Sequence, residues 1–519
     1  MNRTTLSLLA AATSLAAVTG FAALTAPDGA AETEATAPAR LPVERSSLLC
    51  PAPATSDIAE TVYTSITPQS GSAASSSGSS TAELRPSVAT LRGPADDAGK
   101  AGEEKEGEAE KEGSAKKPPS DKPVLSLKQP GKHVGAKASG SAAPALVGTA
   151  TGSLAPGWTT QQTTTVSAGS GRGVLGVNCT APDTDLWFPG ASLAKDRQDY
   201  VHLTNPDDTG ALVDIELYGK DGALKSQLSD GIQVPAGASV PVLLSTLTTD
   251  PAEDVTVHVT TRTGRVGAAV RGAGEETGSD WLPAAADPSG TLVLPGIPAD
   301  ATAVRLVAFA PGDDDAELKV RLASATGTIS PAGAESLRVK SGMTASLDMK
   351  DVTKGEAGSL LLSPAEGAPA SPVVAALQVT RGKGDKQEIA YIPATAPVTE
   401  RATAADNRAE GSVLSLTAPG ETAQVKVTAS AGTEGGAQAV KTYTVKGGTT
   451  IAVSPPVPAG LKGSYALTVE PQSGGPVHAA RTLLLPEDGI QMFTVQTLPD
   501  DRGLVAVPAV EQDLSILGD

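Results

Sequence analysis

The chain has 519 residues, which is enough for roughly three to five domains that each bury a hydrophobic core. Aromatic residues make up only 3 % of the composition, so those cores are predicted to be small and aliphatic. The formal net charge of −18 leaves no excess of Lys or Arg that could displace counterions from nucleic acid. Nucleic acid is therefore excluded as the expected partner, and the acidic surface is interpreted as a solubilising one.

The N-terminus has the form of a secretory signal. Arg3 precedes a mostly apolar run over residues 6–24, and small residues follow at 29–31. The run is also close to the roughly 20 residues that a membrane-spanning helix needs. Two outcomes stay open for the targeting segment 1–31, namely cleavage or retention of residues 6–26 as a membrane anchor. In both, the rest of the chain is predicted to be secreted or held on the outer face of the cytoplasmic membrane.

Cys50 and Cys179 are the only cysteines. An even number of cysteines in an oxidising compartment predicts one disulfide, and two buried free thiols are the alternative. Closing so long a loop would stabilise the fold by up to about 5 kcal/mol in the chain-entropy model. Neither cysteine lies in a motif with a histidine, which argues against a catalytic thiol.

Residues 32–44 are rich in Ala, Thr, Pro and Glu and are predicted to form a tether. Two strand-like segments follow, RSSLLCPAP from residue 45 and ETVYTSITP from residue 60. Residues 69–121 then combine a Ser-rich run with an acidic and Lys-rich tract. Because such a composition buries too little apolar surface to offset chain entropy, we predict a disordered insert over 69–121.

One β unit then occurs three times at intervals of about 106 residues. Apolar and polar residues alternate between turn residues in each unit, which is typical of β-strands. The shared landmarks are the strands ending at Pro206, Pro311 and Pro419, the turns ending at Gly237, Gly342 and Gly448, and the closing strands marked by Pro283, Pro393 and Pro499. Several landmarks with one period indicate internal duplication of an all-β module.

The N-terminal region is interpreted as a degenerate further copy that the insert interrupts. RSSLLCPAP is matched to SVLSLTAPG, ETVYTSITP to AQVKVTAS, and GVLGVNC followed by LWFPGA to VGAAVRG followed by WLPAA. The disulfide would then staple this copy across its insertion. The predicted boundaries are 45–191 for copy one, 192–287 for copy two, 288–397 for copy three, 398–511 for copy four and 512–519 for a tail.

The predicted fold class is all-β, with tandem Ig-like or fibronectin-like β-sandwiches of about 106 residues. The alternative is a β-propeller to which each copy supplies two small blades. Recognisable blade signatures are missing from the sequence, which favours the sandwich array.

Ser192 and Lys195 match an SxxK motif, and Lys340–Gly342 resembles the KTG element of penicillin-interacting serine enzymes. The serine of that motif belongs at the start of a helix, whereas Ser192 precedes a strand. Lys340–Gly342 is the turn that recurs in every unit. No catalytic residue is therefore assigned.

Acidic residues fall in the same loop of copies two and three and are weak candidates for Ca²⁺ ligands. They are Asp207, Asp208, Asp313, Asp314 and Asp315. Copy four has Gly420 and Glu421 at this loop, which favours ordinary polar turn residues. The histidines lack metal-binding spacing, although His202 and His258 could meet within copy two. No other metal site and no cofactor are predicted.

Trp158, Trp187 and Trp281 are the only tryptophans. Exposed tryptophans could stack on sugar rings. Trp187 and Trp281 are assigned to equivalent strand positions, which favours packing inside the fold.

RSSLLCPAP, the segment from LWFPGAS to HLTNPDD, VRLVAFAPGDDDAELKVRL and FTVQTLPDDRG resemble an uncharacterised family of exported proteins of high-GC Gram-positive bacteria. The resemblance spans nearly the whole chain outside the insert. It implies an envelope location with a signal peptide or signal anchor, and it supplies no catalytic residues.

The leading hypothesis is a non-enzymatic extracytoplasmic scaffold or binding protein of the cell envelope, an accessory to envelope assembly. Its expected partners are envelope glycans or envelope proteins, with membrane contact only through residues 6–26 if these are not cleaved. The alternative is a carbohydrate-binding or wall-polymer-processing protein. A third hypothesis, a hydrolase whose residues meet only in the fold, would require two nearby carboxylates in a cleft.

Overall fold

The computed structural model describes residues 39–69, 79–90, 122–169, 171–227 and 230–507. The predicted targeting segment 1–31, the start of the tether, most of the predicted insert and the tail 512–519 lie outside the described residues. Within them the chain is built from strands and turns, with no α-helix and so no helix long and apolar enough to cross a bilayer. The single-turn 3-10 helices are Gly152–Leu154, Leu244–Thr246 and Gly384–Lys386.

Module 1, the first β-sandwich, spans residues 45–178 and follows a short terminal strand, β1. The strands up to its end are β1 (Ala39–Pro42), β2 (Arg45–Cys50), β3 (Glu60–Ile66), β4 (Ala82–Pro86), β5 (Ala89–Thr90), β6 (Leu125–Leu127), β7 (Val134–Ser139), β8 (Leu146–Thr151), β9 (Thr159–Val166) and β10 (Gly173–Asn178). Two four-stranded sheets face each other, in the orders β2-β8-β4-β6 and β10-β9-β3-β7.

Module 2 spans residues 185–282. Its strands are β11 (Asp185–Ala191), β12 (Tyr200–Thr204), β13 (Ala211–Gly219), β14 (Gly222–Ala223), β15 (Ile232–Val234), β16 (Ala238–Leu243), β17 (Val255–Thr263), β18 (Gly267–Gly274) and β19 (Gly278–Leu282). One sheet has the order β11-β17-β13-β14, with β15 also paired to β13. The other has the order β19-β18-β12-β16-β5, in which β5 pairs with β16 in parallel.

Module 3 spans residues 292–393. Its strands are β20 (Leu292–Ile297), β21 (Ala301–Phe309), β22 (Ala316–Ser324), β23 (Thr328–Ile329), β24 (Ser336–Val339), β25 (Thr344–Asp348), β26 (Gly358–Pro364), β27 (Val374–Arg381) and β28 (Glu388–Pro393). Its sheets have the orders β20-β26-β22-β23, with β24 also on β22, and β25-β21-β27-β28.

Module 4 spans residues 402–498, and one terminal strand, β39, follows it. These strands are β29 (Ala402–Asn407), β30 (Ser412–Ala418), β31 (Ala423–Ala429), β32 (Gly435–Ala437), β33 (Ala439–Val445), β34 (Thr449–Val453), β35 (Ala459–Lys462), β36 (Tyr465–Gly474), β37 (His478–Leu484), β38 (Phe493–Leu498) and β39 (Leu504–Val507). The sheets are β29-β36-β31-β33 and β34-β30-β37-β38, with a small β32-β35 ribbon beside them.

The terminal strands β1 and β39 pair with each other in a separate two-stranded sheet. The predicted tether 32–44 therefore contains a strand. Residues 42–503 make up the other compact unit, which holds all the modules.

All modules share one topology. When the short pairs β14/β15 and β23/β24 are each counted as one interrupted strand and β5 and the β32-β35 ribbon are left aside, every module has eight strands. They are ordered first, sixth, third, fourth in one sheet and eighth, seventh, second, fifth in the other. The second–fifth and third–sixth neighbours are those of the Ig sandwich, although the first strand here lies beside the sixth. The predicted array of β-sandwiches is confirmed, and the propeller alternative is wrong.

The predicted boundary at residue 191 is wrong by one strand. β11, which carries LWFPGA, pairs with β17 and is therefore the first strand of module 2 instead of the last strand of copy one. The matching of copy one is shifted in the same way, because RSSLLCPAP forms a first strand and not a second one. First strands such as β20 and β29 are buried along their whole length, so they lack the alternation on which the sequence matching relied.

The predicted disordered insert 69–121 contains an ordered strand. β4 pairs with β8 inside module 1, and the side chains of Ala82 and Leu84 are fully buried. The alternation of Ala82, Glu83 and Leu84 explains this, since it places two apolar residues on the core side. The remainder of the prediction falls on residues 70–78 and 91–121, outside the described residues.

The modules close into a ring. The eighth strands contact one another in the cyclic order β10, β19, β28, β38 and back to β10. The first strands of modules 2, 3 and 4 also pack on the second and seventh strands of the next module, as β11 does on β21 and β27 and β20 does on β30 and β37. The last contact of this kind joins β29 of module 4 to β3 and β9 of module 1. We call this closed arrangement of four modules the ring, and the contact between modules 4 and 1 the closing joint.

The closing joint is more polar than the other joints. The cores of modules 2 and 3 continue into the next module through Tyr391 and Phe493, respectively. Among the described residues, the apolar cluster across the closing joint consists of Ile66, Ala405 and Ala466. Hydrogen bonds supply the rest, so the ring is closed mainly by polar contacts.

Candidate functional site: the hub and the groove at the closing joint

Polar side chains converge where the eighth strands meet. We call this set the hub, and its members, all fully buried, are Gln161, Gln162, Asp280, Arg481 and Gln496. They come from β9, β19, β37 and β38, so modules 1, 2 and 4 all contribute. Buried polar groups are favourable when they have partners, and the partners of Asp280, Arg481 and Gln161 lie mostly in other modules. Both side-chain atoms of Gln162 and the Nε and Nη1 atoms of Arg481 have no partner among the described residues.

Asp280 links three modules through one carboxylate oxygen. Its Oδ1 accepts hydrogen bonds from the backbone N–H of Gly176 in module 1 (3.1 Å) and of Trp281 (2.8 Å). It also accepts one from Thr494 Oγ1 in module 4 (3.2 Å). Burial raises the pKa of Asp280 well above its usual value, and nearby Glu388 adds to the shift. The carboxyl is therefore held as a neutral acid over part of the pH range in which an exposed aspartate is ionised.

Arg481 brings a cation into the hub from module 4. Its Nη2 donates to Oε1 of Gln161 (3.2 Å) and to Oε1 of Gln496. Burial lowers the pKa of Arg481 to about 10, which leaves the guanidinium charged at neutral pH. Gln161 Oε1 also accepts from the backbone N–H of Asp406 (2.8 Å), and Thr163 Oγ1 donates to Oδ2 of Asp406 (2.7 Å). These bonds hold module 4 to module 1.

One further ion pair and one hydrogen bond from a second ion pair join modules close to the hub. Arg172 Nε donates to Glu388 Oε1 (2.6 Å) across the space between modules 1 and 3. Burial raises the pKa of Glu388 to about 7 although Arg172 opposes the shift. In module 2, Arg197 pairs with the buried Asp199 and donates to the Tyr391 hydroxyl of module 3 (2.6 Å). The hydrogen bonds and ion pairs in and near the hub thus hold the modules together.

A groove of about 570 Å³ opens at the closing joint. One wall consists of Gln69 and residues 129–133 of module 1, and the other of residues 431–435 of module 4. Turns that lead into β7 and β32 form these walls, which explains why they are rich in glycine. Gly131 adopts φ +77°, a conformation that glycine reaches without strain.

His133 lies at the base of this groove and is 2 % exposed. Its Nδ1 lies 3.1 Å from the carbonyl oxygen of Ser464 in module 4. Because a carbonyl only accepts, Nδ1 carries the proton and Nε2 carries a lone pair. Burial lowers the pKa of His133 to about 4, so the ring is neutral at neutral pH. Nε2 has no hydrogen-bond partner among the residues that the structure describes.

Comparison with known proteins adds one finding. A family model described as a family of unknown function, DUF5719, matches residues 134–456, which is more than half of the chain. The chain belongs to the DUF5719 family. No curated protein matches the chain. The DUF5719 segment includes modules 2 and 3 completely and the 431–435 wall of the groove, whereas the wall at 129–133 lies just before it.

The acidic residues suggested as Ca²⁺ ligands either bind basic side chains and backbone groups or lie exposed in turns. Both carboxylate oxygens of Asp207 bind Arg265, and Asp315 binds Arg338 and the backbone of Ser341. Asp208, Asp313 and Asp314 are exposed turn residues. In the described part of this DUF5719 chain, no three His, Cys, Asp or Glu side chains are grouped so that they could hold a metal ion.

The SxxK segment lies in the loop between β11 and β12 and starts no helix. The backbone N–H of Ser192 donates to Asp199 (2.9 Å), and Ser192 Oγ accepts from the N–H of Ala194 (3.2 Å). Lys195 is exposed. The hydroxyl of Ser192 therefore serves the turn that places Asp199.

All three tryptophans are packed. Trp158 is 4 %, Trp187 9 % and Trp281 1 % exposed, so none offers a face for a sugar ring. Trp187 stacks on His258 with ring centroids 3.5 Å apart, whereas His202 meets the edge of Trp281 at 5.0 Å. The two histidines, which could have met within copy two, lie in opposite sheets of module 2 and do not meet. The assumed equivalence of the tryptophans is also wrong, because Trp187 is in a first strand and Trp281 in an eighth.

The predicted disulfide between Cys50 and Cys179 is present, with the Cα atoms 4.5 Å apart. Cys50 ends β2 and Cys179 follows β10, so the bridge joins the two sheets of module 1. The hub and the groove were both missed from the sequence. A charged residue inside an otherwise apolar strand, as in GSDWL and HAARTLL, was the available signal for Asp280 and Arg481.

Proposed function

We propose that this DUF5719 protein is a non-enzymatic scaffold or binding protein of the cell envelope, exported by its N-terminal segment and acting outside the cytoplasm. The observation that carries the proposal is the ring, in which buried polar groups are used to lock the modules together. Asp280, Arg481 and Glu388 are fully or almost fully buried and bonded across joints. Such groups are expected to maintain a rigid platform, with recognition left to loops and grooves on its outside.

Export is supported by the signal-like N-terminus and by the Cys50–Cys179 disulfide, since disulfides persist mainly in oxidising compartments. Its test is fractionation of the native cells combined with protease treatment of intact cells. The full chain is expected in the envelope or culture medium, accessible to the added protease. Recovery in the cytosol, with free thiols at Cys50 and Cys179, would contradict the proposal.

The scaffold role is tested by whether the ring itself is needed. In a deletion strain, a variant that disturbs a joint, Gly296→Val, should fail to restore envelope integrity, whereas Gly312→Ala in an open turn should restore it. Both variants are compared at equal protein levels. Full rescue by a ring-disrupted chain would argue for an activity carried by a single module.

A further inference from the structure

Module 1 contacts both of its neighbours in the ring through a buried histidine. At the closing joint, His133 is 2 % exposed, and its Nδ1 lies 3.1 Å from the carbonyl oxygen of Ser464 in module 4. At the joint between modules 1 and 2, His202 of β12 is 4 % exposed and lines a small cavity together with Leu49 and Val177 of module 1. Each joint of module 1 thus contains one buried imidazole.

The closed ring accommodates these two imidazoles only in their neutral form. A protonated imidazole carries an N–H donor on both ring nitrogens. Nε2 of His133 and both ring nitrogens of His202 are buried and have no hydrogen-bond partner among the described residues. Protonation would therefore bury a charge and at least one unpaired donor at each joint, which opposes closure of that joint.

The charges around His133 do not compensate for its burial. Burial lowers the pKa of His133 to about 4; the Asp406 carboxylate raises this pKa and the Arg408 guanidinium lowers it. Asp406 and Arg408 pair with each other across 3.2 Å. Lys132 and Glu434, exposed on opposite walls of the groove, also have opposite charges. Burial therefore determines the protonation state of this ring.

At His202 the neighbouring charge acts in the same direction as burial. Burial lowers the pKa of His202 to about 3, and the Arg271 guanidinium lowers it further. Tyr200 is the other titratable side chain beside it, with ring centroids 6.3 Å apart. An exposed histidine has a pKa of about 6.5, so in acid both imidazoles bind a proton far more readily when their joint is open.

His258 shows the contrasting arrangement. Its two ring nitrogens face carboxylates, with Nε2 3.0 Å from Asp185 and Nδ1 3.3 Å from Glu216. Both donors of a protonated ring would be paired here. His258 therefore serves as a matched control for the two buried histidines.

We propose that the joints of module 1 are acid-sensitive, and that protonation of His133 and His202 releases module 1 from module 4 and from module 2. The ring then opens at both joints, and module 1 stays connected through residues 179–184. Module 1 keeps its fold, because neither histidine belongs to its hydrophobic core or to its disulfide. This inference concerns the shape of the ring and does not rest on the proposed scaffold role.

The size of the effect follows from the difference in pKa between the closed and the open joint. With a pKa of about 4 in the closed joint and about 6.5 in the open one, His133 favours opening about 80-fold at pH 4.5. The lower pKa of His202, about 3, makes this factor about 100-fold at the other joint.

Other buried titratable groups also make the ring depend on pH. Burial raises the pKa of Asp280 and raises that of Glu388 to about 7, so both carboxyl groups favour the closed ring as the pH falls from about 7 to about 4. Burial lowers the pKa of His478, at the joint between modules 3 and 4, to about 4. These groups are the same in wild type and variants, so a comparison between them isolates His133 and His202.

Hydrogen exchange of the full chain, measured by mass spectrometry and corrected for the intrinsic rate at each pH, follows each joint through one backbone N–H. The N–H of Asp406 donates to Gln161 across the closing joint. The N–H of Gly176 donates to Asp280 across the joint between modules 1 and 2. Protection of these two groups therefore reports how often each joint opens.

The variants His133→Asn and His202→Leu cannot be protonated, and the Asn side chain keeps a donor for Ser464. Between pH 7 and pH 4.5, the wild type should lose about 80-fold more protection at Asp406 than His133→Asn does. It should lose about 100-fold more at Gly176 than His202→Leu does.

His258→Asn is the control and should follow the wild type at both positions. Melting temperatures at pH 7 are measured first, and His133→Gln and His202→Met replace any variant that does not fold. Equal pH dependence of protection in wild type and variants overturns the proposal. Loss of protection throughout module 1 at pH 4.5 also overturns it, since that would be unfolding of the module instead of opening of its joints. Localisation and deletion-strain rescue are measured separately, so failure here leaves the scaffold test unaffected.

Discussion

Asp280 shows at the scale of one residue how the ring depends on protonation. Its Oδ1 receives all three hydrogen bonds, and its Oδ2 has no partner among the described residues. Burial disfavours the charged form more than these hydrogen bonds favour it, and nearby Glu388 disfavours it further. The neutral acid is the form that the hub accommodates.

The free energy of unfolding should therefore depend on pH, and the sign of this dependence follows from the raised pKa of Asp280. Because the pKa of Asp280 is higher in the folded than in the unfolded chain, the folded state binds more protons, and stability falls as the pH rises above about 4, the unfolded value. Asp280→Asn keeps an oxygen for the three donors and cannot ionise. We therefore expect this variant to gain stability over the wild type progressively as the pH rises from about 4 towards the raised pKa of Asp280, as measured by thermal unfolding in a pH series.

Asp208→Asn in an exposed turn is the control for this series and should follow the wild-type profile. Asp199 and Asp501 also have raised pKa values through burial, but they are present in every variant and cancel in the comparison. A constant difference between Asp280→Asn and the wild type at all pH values would show that Asp280 is ionised in the folded hub.

At the scale of the strand, the first strand of a module is the piece that joins it to the next. β11 and β20 each contain a Pro-Gly bulge, where pairing shifts between Pro189 and Ala191 and between Pro295 and Ile297. Gly296 has φ +95°, and a Cβ placed there would lie 2.8 Å from the Cβ of Ala480 in module 4. The bulge thus brings bare backbone against the neighbouring module.

Gly296→Val is consequently expected to weaken the joint between modules 3 and 4. Strain at a positive φ and overpacking against Ala480 should together cost about 2–4 kcal/mol of unfolding free energy. The measurement is the shift of the urea unfolding midpoint. Gly312→Ala, where nothing lies within 4 Å and φ is not positive, should change it by less than about 0.5 kcal/mol. An equal shift in both variants would mean that the bulge does not bear on the joint.

The disulfide acts at the same scale, because it ties the end of the first strand of module 1 to the end of the eighth. Replacing Cys50 and Cys179 together by Ser frees a loop with a sequence separation of 129 and should lower stability by about 2–4 kcal/mol. Limited proteolysis should then cut module 1 before the other modules. If the reduced wild type and the double variant resisted protease as well as the oxidised chain, the bridge would have no structural role.

How much of the fold could be predicted from the sequence depended on the alternation of apolar and polar residues in each strand. The third strand β13 alternates along its whole length between buried and more exposed residues, and β22 does so over its first seven residues. The glycines of the central turns, Gly237 and Gly342, both have positive φ. Such local signals allowed the module and its period to be recognised from the sequence. First strands carry no alternation because the next module covers their outer side, and that neighbour is specified by tertiary contacts alone. The shift of copy one by one strand follows from this.

At the scale of the whole molecule, closure could not be predicted because it joins residues far apart in the chain. Gln161 and Arg481 are separated by 320 positions, and His133 and Ser464 by 331. No local pattern reports such contacts. The groove forms only where modules 1 and 4 meet, so it could not be predicted from the sequence either.

Closure also predicts how the chain responds to loss of its last module. A chain that ends at Pro397 lacks module 4, and β20 then loses the strands β30 and β37 that cover it, while β28 loses β38. All residues of β20 are buried in the full ring, and the neighbouring core includes Phe493 from module 4. Uncovered apolar edges of this kind favour association, so the truncated chain should form dimers or larger species.

Loss of module 4 also exposes the surface of module 1 that it covers in the full ring. This surface is polar and should not drive association, because Gln161 and Thr163 can bond to water instead. Association should therefore occur through module 3. A charge added on β20, as in Val293→Lys, should suppress it. The mass of each truncated chain is measured by size-exclusion chromatography with light scattering. A truncated chain that stayed monomeric and melted at the temperature of the full chain would mean that each module is stable alone and that the ring is only a resting arrangement.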